Sequence, residues 1–168
     1  MIRLATGLLF FLAITSRTQS QTSPSPMSVC DLSKDFSAYR NQVVTVRGVY
    51  YYGLRQTCPQ KCADGPWPSF ITLEAPAGSD VFNALGKVQN SVELEAKKGK
   101  RFEIWVTVTG RLDTMLRSPC ERAASKYRGY GHLGVFPAML TVQSITDIDV
   151  KENPKSEYDY ANLYRGAL

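Results

Sequence analysis

The chain has 168 residues, 43% of them hydrophobic and 21% charged, with a formal net charge of +5. That length suits one domain with a self-sufficient core and gives no room for a multi-domain array. A surplus of charge this small does not by itself imply a polyanionic partner, and nucleic acid is disfavoured.

Residues 1–20 read as a signal peptide. Met1-Ile2-Arg3 is a short basic start, Leu4 to Ile14 is almost unbroken apolar sequence, and Thr18-Gln19-Ser20 offers small residues for cleavage. The run is shorter than the roughly 20 apolar residues of a permanent span, so the mature chain is expected to be exported without a transmembrane anchor. Cleavage after Ser20 removes Arg3 and Arg17 and takes the net charge from +5 to +3.

Residues 21–27 are polar and proline-containing, and are expected to be a flexible spacer. A domain over 28–150 follows. Ser28 and Asp31 form a capping-box variant, and Val29, Leu32, Phe36 and Tyr39 share a face, which predicts a helix over 28–40. Residues 43–52 are β-branched and aromatic, and predict a strand interrupted by Gly48. Residues 53–68 read as a loop, with a short strand at 54–57. Strands are predicted over 69–75, 101–113 and 138–150, the last with Leu140, Val142, Ile148 and Val150 on one face, and a helix over 79–97 ending at Gly99. Residues 114–135 read as a basic loop and 151–168 as a frayed, flexible tail. The phrase V-T-V-x-G occurs twice, at Val44–Gly48 and Val106–Gly110. A glycine inside a long strand usually marks a bulge or a barrel corner.

The cysteines are Cys30, Cys58, Cys62 and Cys120. In an exported chain an even number points to disulfides, with three possible pairings. Cys30–Cys58 with Cys62–Cys120 is expected, because a Cys58–Cys62 bridge would close a very short loop containing Pro59. Two alternatives stand beside it: a zinc site of the three later cysteines with His132, and redox chemistry at Cys58/Cys62, whose spacing differs from C-x-x-C.

The order of helix, bent strand, two strands, helix, long strand and strand resembles an OB-fold, a five-stranded Greek-key β-barrel with a helix between its third and fourth strands. The mainly β class, with a barrel and an added N-terminal helix, is therefore expected. The chain also resembles a group of exported bacterial proteins in Cys30-Asp31-Leu32, the Val-Thr-Val-Arg-Gly strand, Cys58-Pro59, Trp67-Pro68 and Gly131-His132-Leu133-Gly134. That resemblance implies a location, the bacterial periplasm or the extracellular space, and no activity.

In an OB-fold the loops after the first and fourth strands frame the ligand, which here means about 53–68 and 114–138. The second loop carries Arg117, Arg122, Lys126 and Arg128 with Tyr127 and Tyr130, a set suited to an anionic or stacking ligand. His132, the one histidine, lies among Gly129, Gly131 and Gly134, which match G-x-G-x-x-G in letters but precede a strand. Trp105 lies opposite the apolar face of its strand, and Tyr50, Tyr51 and Tyr52 cannot all face the core. These aromatics are expected either to pack under the N-terminal helix or to form a stacking platform or interface patch, and Trp105 is a candidate ligand contact. There is no G-x-S-x-G and no H-E-x-x-H, and no carboxylate pair stands out. The expectation is a binding module without catalytic residues, cofactor or metal, whose partner is an envelope protein, a glycan or a small anion. The alternatives are a nucleic-acid-binding OB protein and a hydrolase or thiol enzyme.

Overall fold

The structure, a computed structural model, describes residues 25–62, 65–116, 129–131 and 136–162. The signal-like segment 1–20 lies outside them. Among the described residues no helix is long and apolar enough to cross a membrane.

The protein is mainly β, and the described residues form six strands in one mixed sheet. In chain order they are β1 (Met27–Ser28), β2 (Val43–Tyr50), β3 (Leu54–Cys62), β4 (Gly65–Glu74), β5 (Phe102–Thr114) and β6 (Ala138–Glu152). Helix α1 (Val29–Ser33) follows β1, and α2 (Asn83–Ala96) joins β4 to β5. Pairing runs from β2 to β3, β4, β6 and β5, and β5 returns to β2. All these ladders are antiparallel except β4 with β6. β1 adds a parallel edge to β2, so Met27 is paired with Val46 and the expected spacer stops short of it.

The two V-T-V-x-G phrases are partners. Val44 faces Gly110, Val46 faces Val108 and Gly48 faces Val106, so each glycine meets a valine of the other phrase. Thr45 and Thr109 share a hydroxyl hydrogen bond of 2.9 Å, while Val44, Val46, Val106 and Val108 are buried in the core. Both glycines are close-approach positions. A β-carbon on Gly48 would come within 2.7 Å of Val29 Cγ2, and one on Gly110 would strike the Thr141 carbonyl oxygen. Gly110 also sits at a register shift between β5 and β6, the bulge its position implies.

The helix expected over 28–40 is broken in two. Ser28 Oγ accepts from Asp31 N at 3.0 Å and caps α1, as the S-x-x-D pattern predicts. Asp35 Oδ1 then accepts from Ala38 N at 3.2 Å and caps a separate 3₁₀ turn, Phe36–Tyr39. A short carboxylate that bonds nearby backbone N–H groups competes with continued helix. Val29, Leu32 and Phe36 are nevertheless all buried. Helix α2 buries Leu85, Gln89, Val92 and Ala96, and stops before Gly99, whose φ is +89°.

Three expectations need correction. Residues 53–68 are largely a hairpin of β3 and β4, not a loop. Its prolines signalled a loop, but β4 meets β6 only from Ile71 onward, so Pro66 and Pro68 have β3 as their one strand neighbour and need no second ladder. The even-numbered face of β6 is buried only through Val142. A second register shift follows, Asp147 adopts φ +49°, and Val150 ends 41% exposed. The tail is ordered as far as it is described: Ser156, Tyr158 and Tyr160 are buried against the sheet.

Gly110→Ala is expected to cost more than about 2 kcal/mol, because the methyl meets backbone that cannot yield. Gly86→Ala, within α2 and with open space around it, is expected to stabilise by about 0.5–1 kcal/mol. Urea denaturation of both variants checks the contrast.

Candidate functional site

Strand β2 runs alongside β5 only as far as the Val49–Trp105 pair. Beyond it the β2-facing backbone of residues 102–104 has lost its strand partner, and the C-terminal segment takes that place. Ser156 Oγ donates to Phe102 O at 2.8 Å, and Ile104 N donates to Tyr160 Oη at 3.3 Å. Tyr160 Oη in turn donates to Tyr50 O at 2.6 Å, so one phenol joins the diverging ends of β2 and β5. Residues 153–162 thus form a strap. Asn153 begins it, with its N–H on Arg101 O at 2.9 Å and its side-chain oxygen accepting from Lys155 N at 3.0 Å. Arg101 Nη1 secures its middle by donating to Ser156 O at 2.9 Å.

The strap explains the tyrosine triplet. Tyr51 packs edge-on to Tyr160, tilted against Tyr158, and edge-on to Tyr52, with centroids 5.5, 5.3 and 5.0 Å away. One expectation placed these rings under the N-terminal helix, and the structure sets those of Tyr51 and Tyr52 beside the strap. They form a cluster with the strap. Arg55 adds to it, with its guanidinium 5.2 Å from the Tyr51 ring and 4.8 Å from Phe70, and its Nε donating to Tyr51 O at 2.6 Å. Burial raises the Tyr160 phenol above its ordinary pKa, and burial followed by the Glu157 carboxylate does the same for Tyr158.

Beside the strap lies a groove of about 410 Å³, lined by Val49, Gln56, Glu103, Trp105, Glu157 and Tyr158, with Lys155 at its margin. Trp105 is half-buried, and its ring is fixed. Glu103 Oε2 accepts from Trp105 Nε1 at 2.9 Å, and Glu103 Oε1 accepts from Asn153 Nδ2 at 2.8 Å. One carboxylate therefore orients the indole and anchors the strap. Lys151 Nζ stands 5.7 Å from the centre of the Trp105 ring. The side-chain oxygen of Gln56 is buried without a hydrogen-bond partner.

Of the residues singled out in the sequence, Trp105 and Tyr130 are among those described. Arg117, Arg122, Lys126, Arg128 and His132 lie outside the described residues, as does Cys120 and with it the Cys62–Cys120 pairing. Tyr130 is described and exchanges two backbone hydrogen bonds with Phe136, 2.8 and 3.1 Å long. Gly131 turns the chain there at φ +67°, with the Phe136 ring 2.7 Å from where a β-carbon would stand. The Tyr130 hydroxyl is buried, and burial together with nearby Asp113 pushes its pKa up to about 12. Asp113 and Trp105 are eight positions apart on β5, roughly 25 Å along a strand, so Tyr130 and Trp105 belong to different regions. The expected Cys30–Cys58 disulfide is present, with Cα atoms 5.4 Å apart, and it ties α1 to β3. Cys58 is therefore not paired with Cys62 as a redox couple. Among the described residues no group of His, Cys, Asp and Glu is arranged to hold a metal.

Sequence reasoning singled out Trp105 and overlooked Gln56, Lys155, Glu157 and Tyr158. Three of these belong to a tail judged too polar to order. The available signals were Asn153-Pro154, which stops β6, and Tyr158-x-Tyr160, two aromatics at strand spacing on one face. No protein family, curated protein or solved structure matches this chain.

The Tyr160 phenol is favoured neutral in the fold, so the unfolded chain ionises first. Its contribution is complete below about pH 10 and is lost as pH rises through that value toward the raised folded pKa. Tyr160→Phe is expected to cost about 1–3 kcal/mol at neutral pH, by stranding Tyr50 O and Ile104 N, and to flatten the decline above about pH 10. Denaturation curves from neutral pH upward check both effects, and an unchanged alkaline decline in the variant would refute the second.

Proposed function

We propose that this protein is an exported, disulfide-stapled binding module built on an OB-like barrel, with its ligand site in the Trp105 groove. The barrel reading rests on the return of β5 to β2, the single parallel contact of β4 with β6, and the position of α2 between β4 and β5. Five strands in that order, with a helix between the third and fourth, are the OB pattern. The export reading rests on the signal-like segment 1–20 and on a disulfide that an oxidising compartment would preserve.

The observation that carries the function is the Glu103–Trp105–Asn153 arrangement. A tryptophan whose ring is fixed at its N–H edge, at the wall of a groove, is pre-organised for stacking and loses little freedom on binding. The groove contains no nucleophile beside a base, so the reading is binding and not catalysis. Its two carboxylates disfavour nucleic acid, whose phosphates they would repel.

The chain expressed with its leader is expected to reach the envelope fraction, to lack residues 1–20 by intact mass, and to show no free thiol. Unprocessed, fully reduced protein in the cytosol would overturn the assignment of place. Trp105→Ala is expected to leave the melting temperature within a few degrees and to remove the ligands that mature protein retains from envelope extract. An identical set of retained ligands would overturn the assignment of site.

A further inference from the structure

We infer that the Trp105 groove takes a neutral saccharide, with a pyranose ring stacked on the indole face; this rests on the groove being the ligand site. Three features select that chemistry. First, the indole N–H is already spent on Glu103, so Trp105 offers a ligand its face and no donor. Faces of this kind attract flat apolar surfaces, and the C–H face of a sugar ring is one.

Second, the charges around the groove offset one another. Glu103, Glu157 and Asp149 stand against Lys155, Lys151 and Arg47, with Asp149 paired to Lys151 at 3.5 Å and to Arg47 at 3.8 Å. An anionic ligand would meet two carboxylates. A cationic one would be repelled by the Lys151 and Lys155 ammonium groups. A neutral ligand meets neither obstacle.

Third, the polar groups around the ring call for donors and acceptors together. Gln56 lines the groove with an amide whose oxygen has no partner, and Lys155 lines it with an ammonium. Hydroxyls donate and accept, so a polyhydroxylated ring suits the amide and the ammonium together. Nucleobases would also stack on Trp105, but their phosphates would be carried toward Glu103 and Glu157. A volume of about 410 Å³ lies at the small end of ligand sites, which matches one or two sugar rings within the groove and a chain extending beyond it.

The test uses the mature, disulfide-bonded chain and follows the Trp105 indole N–H resonance, with calorimetry in parallel. The probes are hexasaccharides of β-1,4-glucose, β-1,4-N-acetylglucosamine and α-1,4-glucose, a hexalysine peptide, and a single-stranded oligothymidine. At least one hexasaccharide is expected to shift the resonance. Its affinity should fall about tenfold or more in Trp105→Ala, recover in part in Trp105→Phe, and weaken in Gln56→Leu, which keeps the fold testable if the alanine variant unfolds. Co-sedimentation with insoluble cellulose or chitin separates a polymer-borne sugar from a free one, and binding in either arm supports the inference. A response to hexalysine or oligothymidine alone would overturn the saccharide and leave the groove as a site. No response from any probe would overturn both.

Discussion

The ladder from Val43–Arg111 to Val49–Trp105 is the constraint on which the other pairings depend. Without it the sheet would be an open ribbon with β2 near one end and β5 at the other. With it, the core-facing side chains of β2 and β5 converge, and Val44, Val46, Ile104, Val106 and Val108 become one core with Leu140 and Val142. Such closeness is possible because Gly48 and Gly110 leave out the side chains that would keep α1 and β6 at a distance. Glycine costs about 0.5–1 kcal/mol in a strand or helix interior, so two of them in the central ladder are justified only by the approach they permit.

The same ladder determines where the candidate site lies. It stops at Trp105, and the strap begins to pack where it stops. Trp105 is thus the last residue of β5 paired with β2, before a stretch whose β2-facing backbone groups the C-terminal segment satisfies. Glu103, two positions earlier on the same face, reaches both the indole and Asn153. The platform and the strap are consequently one mechanical unit. A change that loosens residues 153–162 removes Lys155, Glu157 and Tyr158 from the groove and also frees one of the two bonds that hold the Glu103 carboxylate.

Much of the fold could be read from local signals that tertiary context did not override. Val44–Gly48 and Val106–Gly110 announced bent strands, Gly99 announced the end of α2, and Ser28 with Asp31 announced a helix start. That the two glycine phrases face each other was not legible, because pairing between distant segments leaves no mark in either one. The β3–β4 hairpin was hidden by Pro66 and Pro68, whose penalty vanishes in a stretch with one neighbouring strand. The strap was hidden because average polarity says nothing about two tyrosines whose hydroxyls find partners. Of the groove, Trp105 alone stood out, since its exposure followed from alternation, while Gln56 and Glu157 acquire meaning only from what the fold brings beside them.

Tyr160 reaches back across 110 residues to Tyr50. A growing polypeptide therefore cannot complete this architecture until residue 160 is available. Contacts of such sequence separation form late, because the intervening loop must be closed before they give any return. A product that stops before residue 160 would leave the diverging ends of β2 and β5 unjoined, so this one phenol tests the integrity of everything that precedes it.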